Sequence, residues 1–244
     1  MKQNIFDDPQ FFAGYQAMRE AGSGLNAVLE QPAMRTLLPP VARLRVLDLG
    51  CGVGELCREL LASGAASVVG IDLSEKMLEC ARQFGEGIRY VHSAIEDFDT
   101  SAGSFDLVVS SLTLHYVENY SDVARKVFKW LVPGGFFIFS IEHPMATAAQ
   151  GIHPGWIRDD SGHKQYWAVD CYQDEGQRKS TWFAQGVTKY HRTVATTLNA
   201  LVDNGFSIVR VLEPHAVQRA EQERPELLDE RRRPPFLLVK ARRV

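Results

Sequence analysis

The chain lacks several features that would fix a role at once. It has only four cysteines, Cys51, Cys57, Cys80 and Cys171, with no CxxC pair and no zinc spacing. They read as reduced thiols of a cytoplasmic protein, not as a disulfide framework. No apolar stretch approaches the roughly 20 residues of a membrane span, and the opening MKQNIFDDPQFF lacks the apolar core of a signal peptide. A membrane partner is therefore not expected. Positive charge is not in surplus either: 27 Lys and Arg stand against 30 Asp and Glu, a formal charge of −3. That balance argues against a protein that grips a nucleic-acid backbone over its whole surface.

What is present is ordinary globular material, 45% apolar and 23% charged in 244 residues. A chain this long should bury roughly 70–75% of its extended surface as one domain with an elaboration. Residues 1–43 read as helical, broken by GSG at 22–24 and by Pro32, Pro39 and Pro40. From Leu44 short apolar runs alternate with helix-like segments: LRVLDLG, ASVVGID, IRYVH, FDLVVSS and GGFFIFSIE lie between ELCRELLASG, SEKMLECARQF and YSDVARKVFKWL. Strands apolar on both faces that alternate with helices predict a doubly wound α/β fold with a mostly parallel sheet. Ser74 followed by Glu75 reads as a helix start, and Gly64 and Gly85 as helix stops. The alternation runs through 44–142 and breaks at 143–189, a stretch rich in His, Trp and Tyr. So long an insertion predicts a lid or substrate cap, with a dimer surface as the alternative. Residues 190–244 supply a closing helix and the strands FSIVRVLE and PFLLVKA, which face each other across an exposed connection at 213–234. The run Arg231, Arg232, Arg233 within it reads as a solvated loop, with RNA contact as the alternative.

The most informative segment is VLDLGCGVGE at 46–55, a strand running into Gly50, Gly52 and Gly54 and then a helix. Glycines at such a corner allow positive φ and close approach of a ligand to the backbone. The dinucleotide fingerprint GxGxxG would place glycine at 55, where this chain has Glu55. A carboxylate in that first turn repels a pyrophosphate. Together with Asp48 it suits a cationic nucleoside. Asp72, which ends the next strand 22 residues after Gly50, stands where an acidic residue takes both ribose hydroxyls.

VLDLGCGVGE and VVGIDLS resemble the first two motifs of class I S-adenosylmethionine-dependent methyltransferases of the small-molecule type. HSAIEDF, FDLVVSSLTLHYV and LVPGGFFIFSIEHP agree in order and spacing over about 44–144. The resemblance implies a seven-stranded sheet with an antiparallel last strand, preceded by an N-terminal helical cap at 1–43. The cofactor it implies is S-adenosylmethionine, converted to S-adenosylhomocysteine. It carries Gly50, Cys51 and Gly52 to the cofactor's amino-acid end, with Asp48 nearby. Asp72 goes to the ribose, Leu73 and Met77 to the adenine, and Ala94 and Ile95 to its far edge. The Ser110 backbone, with Leu112, goes to the floor near the methionine. The segment FFAGYQAMRE resembles the cap, and puts Tyr15 and Arg19 on one helix face. Tyr15 is expected over the sulfonium, and Arg19 on the cofactor carboxylate.

Methyl transfer from a sulfonium mainly needs alignment and exclusion of water, so the absence of a catalytic triad is expected. The amino-methyltransferase tetrad of the DPPY type is replaced by SSLT at 110–113, which argues against adenine or glutamine amides. His115 and Tyr116 are candidates to face the acceptor, as is Trp167 of the insertion. His143, at the end of EHP, is a candidate base, and so are Tyr190 and His191 of KYHRT. That run resembles one carried by small-molecule methyltransferases. Arg192 is a candidate for an anionic acceptor group. For each histidine a structural role stands as the alternative, and the spacing of His143, His153 and His163 fits no metal. The expected activity is methylation of an N or O atom of a small molecule, by a monomer or homodimer. The alternatives are a tRNA or protein methyltransferase and a non-catalytic cofactor-binding regulator; an NAD dehydrogenase is disfavoured by Glu55.

Overall fold

The computed structural model describes residues 3–22, 24–151 and 155–244. Ser23 of the GSG break and His153 of the histidine set lie outside the described residues, as do Met1 and Lys2.

Helix α1 (Pro9–Glu20) starts where Pro follows a capping Asp8, whose side chain accepts the Phe11 N–H. A π-turn (Asn26–Glu30) leads into α2 (Gln31–Leu37). The alternating core then runs as read from the sequence: β1 (Arg45–Leu49), α3 (Glu55–Ala62), β2 (Ser67–Asp72), α4 (Glu75–Phe84), β3 (Arg89–His92), β4 (Phe105–Ser110), α5 (Tyr120–Trp130) and β5 (Leu131–Glu142). Ser74 caps α4 through the Met77 N–H, and Asn119 caps α5.

The insertion is not irregular. After the short α6 (Pro144–Thr147), strand β6 (Trp156–Arg158) pairs with β7 (Lys164–Trp167), and β8 (Gly176–Trp182) with β9 (Ala184–His191), both antiparallel. The chain closes with α7 (Val194–Asp203), β10 (Phe206–Leu212), α8 (Gln218–Glu223), a 3-10 segment (Pro225–Arg231) and β11 (Phe236–Arg243).

Seven strands form one sheet in the order β10-β11-β5-β4-β1-β2-β3. Only β11 is antiparallel, to β5 and β10. Alternate residues of the central strands face opposite layers. Leu47, Val108, Phe137 and Phe139 join one buried cluster with Val123, Val127 and Trp130 of α5. Val46, Leu107, Val109 and Ile138 join another with Met34 of α2 and Leu60 of α3. Each large side chain so buried contributes about 1.5–3 kcal/mol. Among the described residues no helix is long and apolar enough to cross a membrane.

The expected exposed connection at 213–234 is corrected by the structure. Ala216 and Leu227 are buried there, and the three arginines are engaged. Arg231 bonds the Glu221 carboxylate. Arg232 lies over the Trp156 ring and donates to the Lys164 and Gln165 carbonyls. Arg233 lies over the Trp167 ring, 4.1 Å from its centroid. The run ties the C-terminal segment to the β6–β7 hairpin; it is not a solvated loop.

Candidate active site

The carboxyl ends of β1, β2, β4 and β5 open into a cavity of about 1050 Å³. Its floor begins with the glycine loop. Gly50 and Cys51 donate their N–H groups to the Ile71 carbonyl at 2.8 and 2.9 Å. Gly52 donates to Asp72 Oδ2 at 2.8 Å. Gly50 and Gly52 have φ of 75° and 53°, a region that side chains disfavour. A Cβ on Gly50 would also lie 2.3 Å from Thr113, whereas around Gly52 there is open space. The loop thus leaves bare backbone facing the cavity.

Three acidic groups stand around that backbone. Asp72 is braced by Gly52 N–H and, through Oδ1, by Ser74 N–H. Burial raises its pKa. Asp48 accepts the Cys57 thiol on Oδ2 at 3.2 Å, while its buried Oδ1 has no partner. Burial pushes its carboxyl up to about 7. Glu30 of the π-turn was not anticipated from sequence. Its Oε1 accepts Ser140 Oγ at 2.6 Å and Ser111 Oγ at 2.9 Å, and its buried Oε2 is unpartnered. The nearby cations are engaged elsewhere, Arg19 with Glu55 and Arg35 with Glu59. A buried carboxylate without a partner is costly, so this half of the cavity suits a cation.

The roof is built by two segments that hold each other. Phe6, Tyr15 and Trp182 meet edge to face at centroid distances of 5.4 and 6.1 Å, and Phe11 packs on Trp182 at 5.3 Å. Gln3 donates to the Gly186 carbonyl and accepts the Thr188 N–H. Gly14 of α1 gives room for the Phe183 ring, which a Cβ there would meet at 2.7 Å.

The other half is lined by side chains. Lys189 Nζ bonds Glu142 Oε1 at 2.5 Å and lies 5.7 Å from the Trp182 ring centroid. Burial raises the Glu142 carboxyl, but the charges of Lys189, which also bonds it, and of Arg233 outweigh that and hold the group below its ordinary value. His115 accepts the Glu142 N–H on Nδ1 at 3.4 Å, and burial lowers its pKa to about 4. It is therefore neutral, with its proton on Nε2. Burial raises both the Tyr116 and Tyr190 phenols.

Most of the residues picked from sequence meet at this cavity: Tyr15, Arg19, Asp48, Gly50, Cys51, Gly52, Asp72, Leu73, Met77, Ala94, Ile95, His115, Tyr116, Trp167 and Tyr190 all line it. Four do not. Ser110 is fully buried and its hydroxyl donates to the Leu49 carbonyl, so Ser111, Leu112 and Thr113 form the floor instead. His143 is buried, with Nδ1 capping α6 through the Met145 N–H and Nε2 at 2.9 Å from Glu213. His191 is fully buried between Thr147 and the Tyr172 carbonyl. Arg192 donates to the carbonyls of Val117 and Glu118 and so closes the turn after His115. Both ring nitrogens of each histidine have partners, and neither imidazole faces the cavity. Arg19 bonds Glu55, not an open position. Besides Glu30, the cavity is lined by Glu142, Trp182, Lys189 and Arg233, none of which the sequence assigned to the site. EHP and KYHRT contain Glu142 and Lys189 beside the histidines.

Residues 47–139 match a family described as "Methyltransferase domain". An S-adenosylmethionine dependent methyltransferase from Mesorhizobium loti is 49% identical. The match covers 88% of this chain and 97% of that one, with a TM-score of 0.82. The chain belongs to the S-adenosylmethionine-dependent methyltransferases. An uncharacterized protein of Haemophilus influenzae is 36% identical over all of this methyltransferase and 98% of its own length. A ubiquinone biosynthesis O-methyltransferase of Aromatoleum aromaticum is 39% identical over 105 residues, 41% of this chain and 44% of that one. The methyltransferase thus shares less than half the length of that relative. S-adenosylmethionine is its cofactor, and the acid-lined loop fits that cationic, phosphate-free nucleoside.

Proposed function

We propose that this methyltransferase transfers the methyl group to a nitrogen or oxygen atom of a small molecule. S-adenosylmethionine, when bound, supplies a methyl carbon activated for in-line displacement and leaves as S-adenosylhomocysteine. The protein's part is to bind, align and exclude water. Asp72 takes the ribose hydroxyls, and Leu73, Met77, Ala94 and Ile95 enclose the adenine. Gly50, Cys51, Gly52 and Asp48 hold the amino-acid end, with Leu112 beneath it. Tyr15 and Arg19 close over it. Residues 1–43 serve as cap, 44–142 as cofactor core, 143–189 as lid and 190–244 as closure of one domain.

His115, Tyr116, Trp167 and Tyr190 face the acceptor, with Lys189 and Trp182 beside them. His115 Nε2 and the two phenols carry protons at neutral pH, and Glu142 is held by Lys189. These groups orient an acceptor and do not remove its proton. The acceptor atom therefore brings its own lone pair, as an amine nitrogen or an oxygen that ionises readily.

The observation that carries this reading is the roof: cap and β8–β9 hairpin interlock over one cavity sized for a cofactor and a small acceptor. The partial likeness to an O-methyltransferase supports an oxygen acceptor as one option. The test is transfer of a labelled methyl group from S-adenosylmethionine into fractionated cell extract. Label in low-mass products is expected. Label in RNA or protein instead, with activity falling steeply in salt, would support a macromolecular acceptor.

A further inference from the structure

Glu30 lies outside every motif of the strand–helix core, yet it reaches the cofactor half of the cavity from the cap. Only 1% of the residue is exposed. Two serine hydroxyls, from the ends of β4 and β5, converge on Oε1 and fix the carboxyl. The same Ser140 hydroxyl accepts the Leu112 N–H at 2.9 Å, so Glu30 is anchored to the floor beside Gly50 and Thr113. Oε2 is left without a partner, as is Asp48 Oδ1. Arg19 and Arg35 act on Glu30 through space, but their guanidinium groups bond Glu55 and Glu59.

Two buried carboxyl groups that share a cavity cannot both ionise cheaply: one tends to keep its proton unless a cation lies between or beside them. The cofactor is the cation this site takes, and its amino-acid end is expected at Gly50 and Asp48.

We propose that Glu30 is a second carboxylate ligand of the α-ammonium group of S-adenosylmethionine, acting alongside Asp48. The assignment rests on the cofactor and on the orientation proposed for it. It makes the cap a binding element as well as a roof: the residue that reads the ammonium belongs to the segment that covers it. Closure of the cap and capture of the amino-acid end then occur together.

The experiment is calorimetric titration of wild type and Glu30→Gln with three ligands: S-adenosylmethionine, S-adenosylhomocysteine and 5′-deoxy-5′-methylthioadenosine, which lacks the amino-acid part. Glutamine keeps the shape and an oxygen for the serines. Loss of a charge-assisted bond should weaken the first two ligands alike, by about 10- to 100-fold, and leave methylthioadenosine unchanged. The ligand-free variant should melt at or above the wild type, because an uncompensated buried charge is gone. Equal weakening of all three ligands with a lower melting temperature would mean that Glu30 only holds the cap in place, and would overturn the assignment. Unchanged affinity for S-adenosylmethionine would overturn it too. Weakening of S-adenosylmethionine alone would point the carboxylate at the sulfonium and contradict the ammonium assignment. A wild type that binds neither amino-acid ligand would defeat the cofactor orientation first, before Glu30 came into question.

Discussion

Where β1, β2 and the glycine loop form the cavity, its walls are bare backbone and buried carboxyl groups, two of which keep one oxygen without a partner, Asp48 Oδ1 and Glu30 Oε2. Where β5 and the β8–β9 hairpin form it, they are side chains already paired with one another. Glu142 has Lys189, and His115 has the Glu142 N–H. The first half is electrostatically incomplete without a cation. The second supplies a counter-charge for its own carboxylate, and on the proposed reading it selects the acceptor by shape and through His115, Tyr116 and Tyr190. On that reading, a constant cofactor is recognised by fixed backbone and charge, and the acceptor by a hairpin that lies outside the strand–helix alternation.

Substitutions should separate the halves. The largest effect is expected for Asp72→Ala, which removes the proposed ribose partner and the brace on Gly52 and Ser74. Loss of two charge-assisted bonds should weaken cofactor binding by about 100-fold or more in a titration; unchanged affinity would break the ribose assignment. Lys189→Met probes the other half. It leaves the half-buried Glu142 without its bonded counter-charge and should lower unfolding stability by about 1–3 kcal/mol in a denaturant melt. Methyl transfer should fall with it, while cofactor affinity stays close to that of the wild type. A large loss of cofactor affinity would show that the halves are not independent.

Asp48→Asn should weaken S-adenosylmethionine by about 10- to 100-fold. Its effect on stability runs the other way. Burial raises the folded Asp48 pKa from its ordinary 3.8 to about 7, so the ionised group costs stability increasingly as pH rises through that window. The ligand-free asparagine variant should therefore melt above wild type, most clearly at pH 8. The smallest effect belongs to His143→Ala. Loss of the α6 cap should cost about 1 kcal/mol and leave cofactor affinity and initial rates intact below the melting range. A lost rate in a folded variant would return His143 to the chemistry.

The strand–helix core was legible in sequence because its signals are local. Strands apolar on both faces, a Ser74 cap and glycines at 50 and 52 each speak for themselves within a few residues. The two hairpins of the insertion were not. β6 and β7 are short, and all four strands are mixed in polarity and partly exposed, so no apolar period marks them. The two histidines left open between a base and a structural role share one feature: a partner distant in sequence. Glu213 and Tyr172 hold the His143 and His191 rings away from the cavity. Glu30 was invisible for the opposite reason, since a lone Glu on a helix ordinarily faces water and only tertiary packing buries it.

The central claim is that the cofactor half awaits a cation. Calorimetric titration of the wild type with S-adenosylmethionine at pH 8 and pH 6 tests it most directly, with methylthioadenosine as the control. Protonation of Asp48 in the ligand-free protein should oppose binding at the lower pH. The account predicts tighter binding of S-adenosylmethionine at pH 8 and a smaller change for methylthioadenosine. Equal affinity for S-adenosylmethionine at both pH values, or no binding at all, would contradict it.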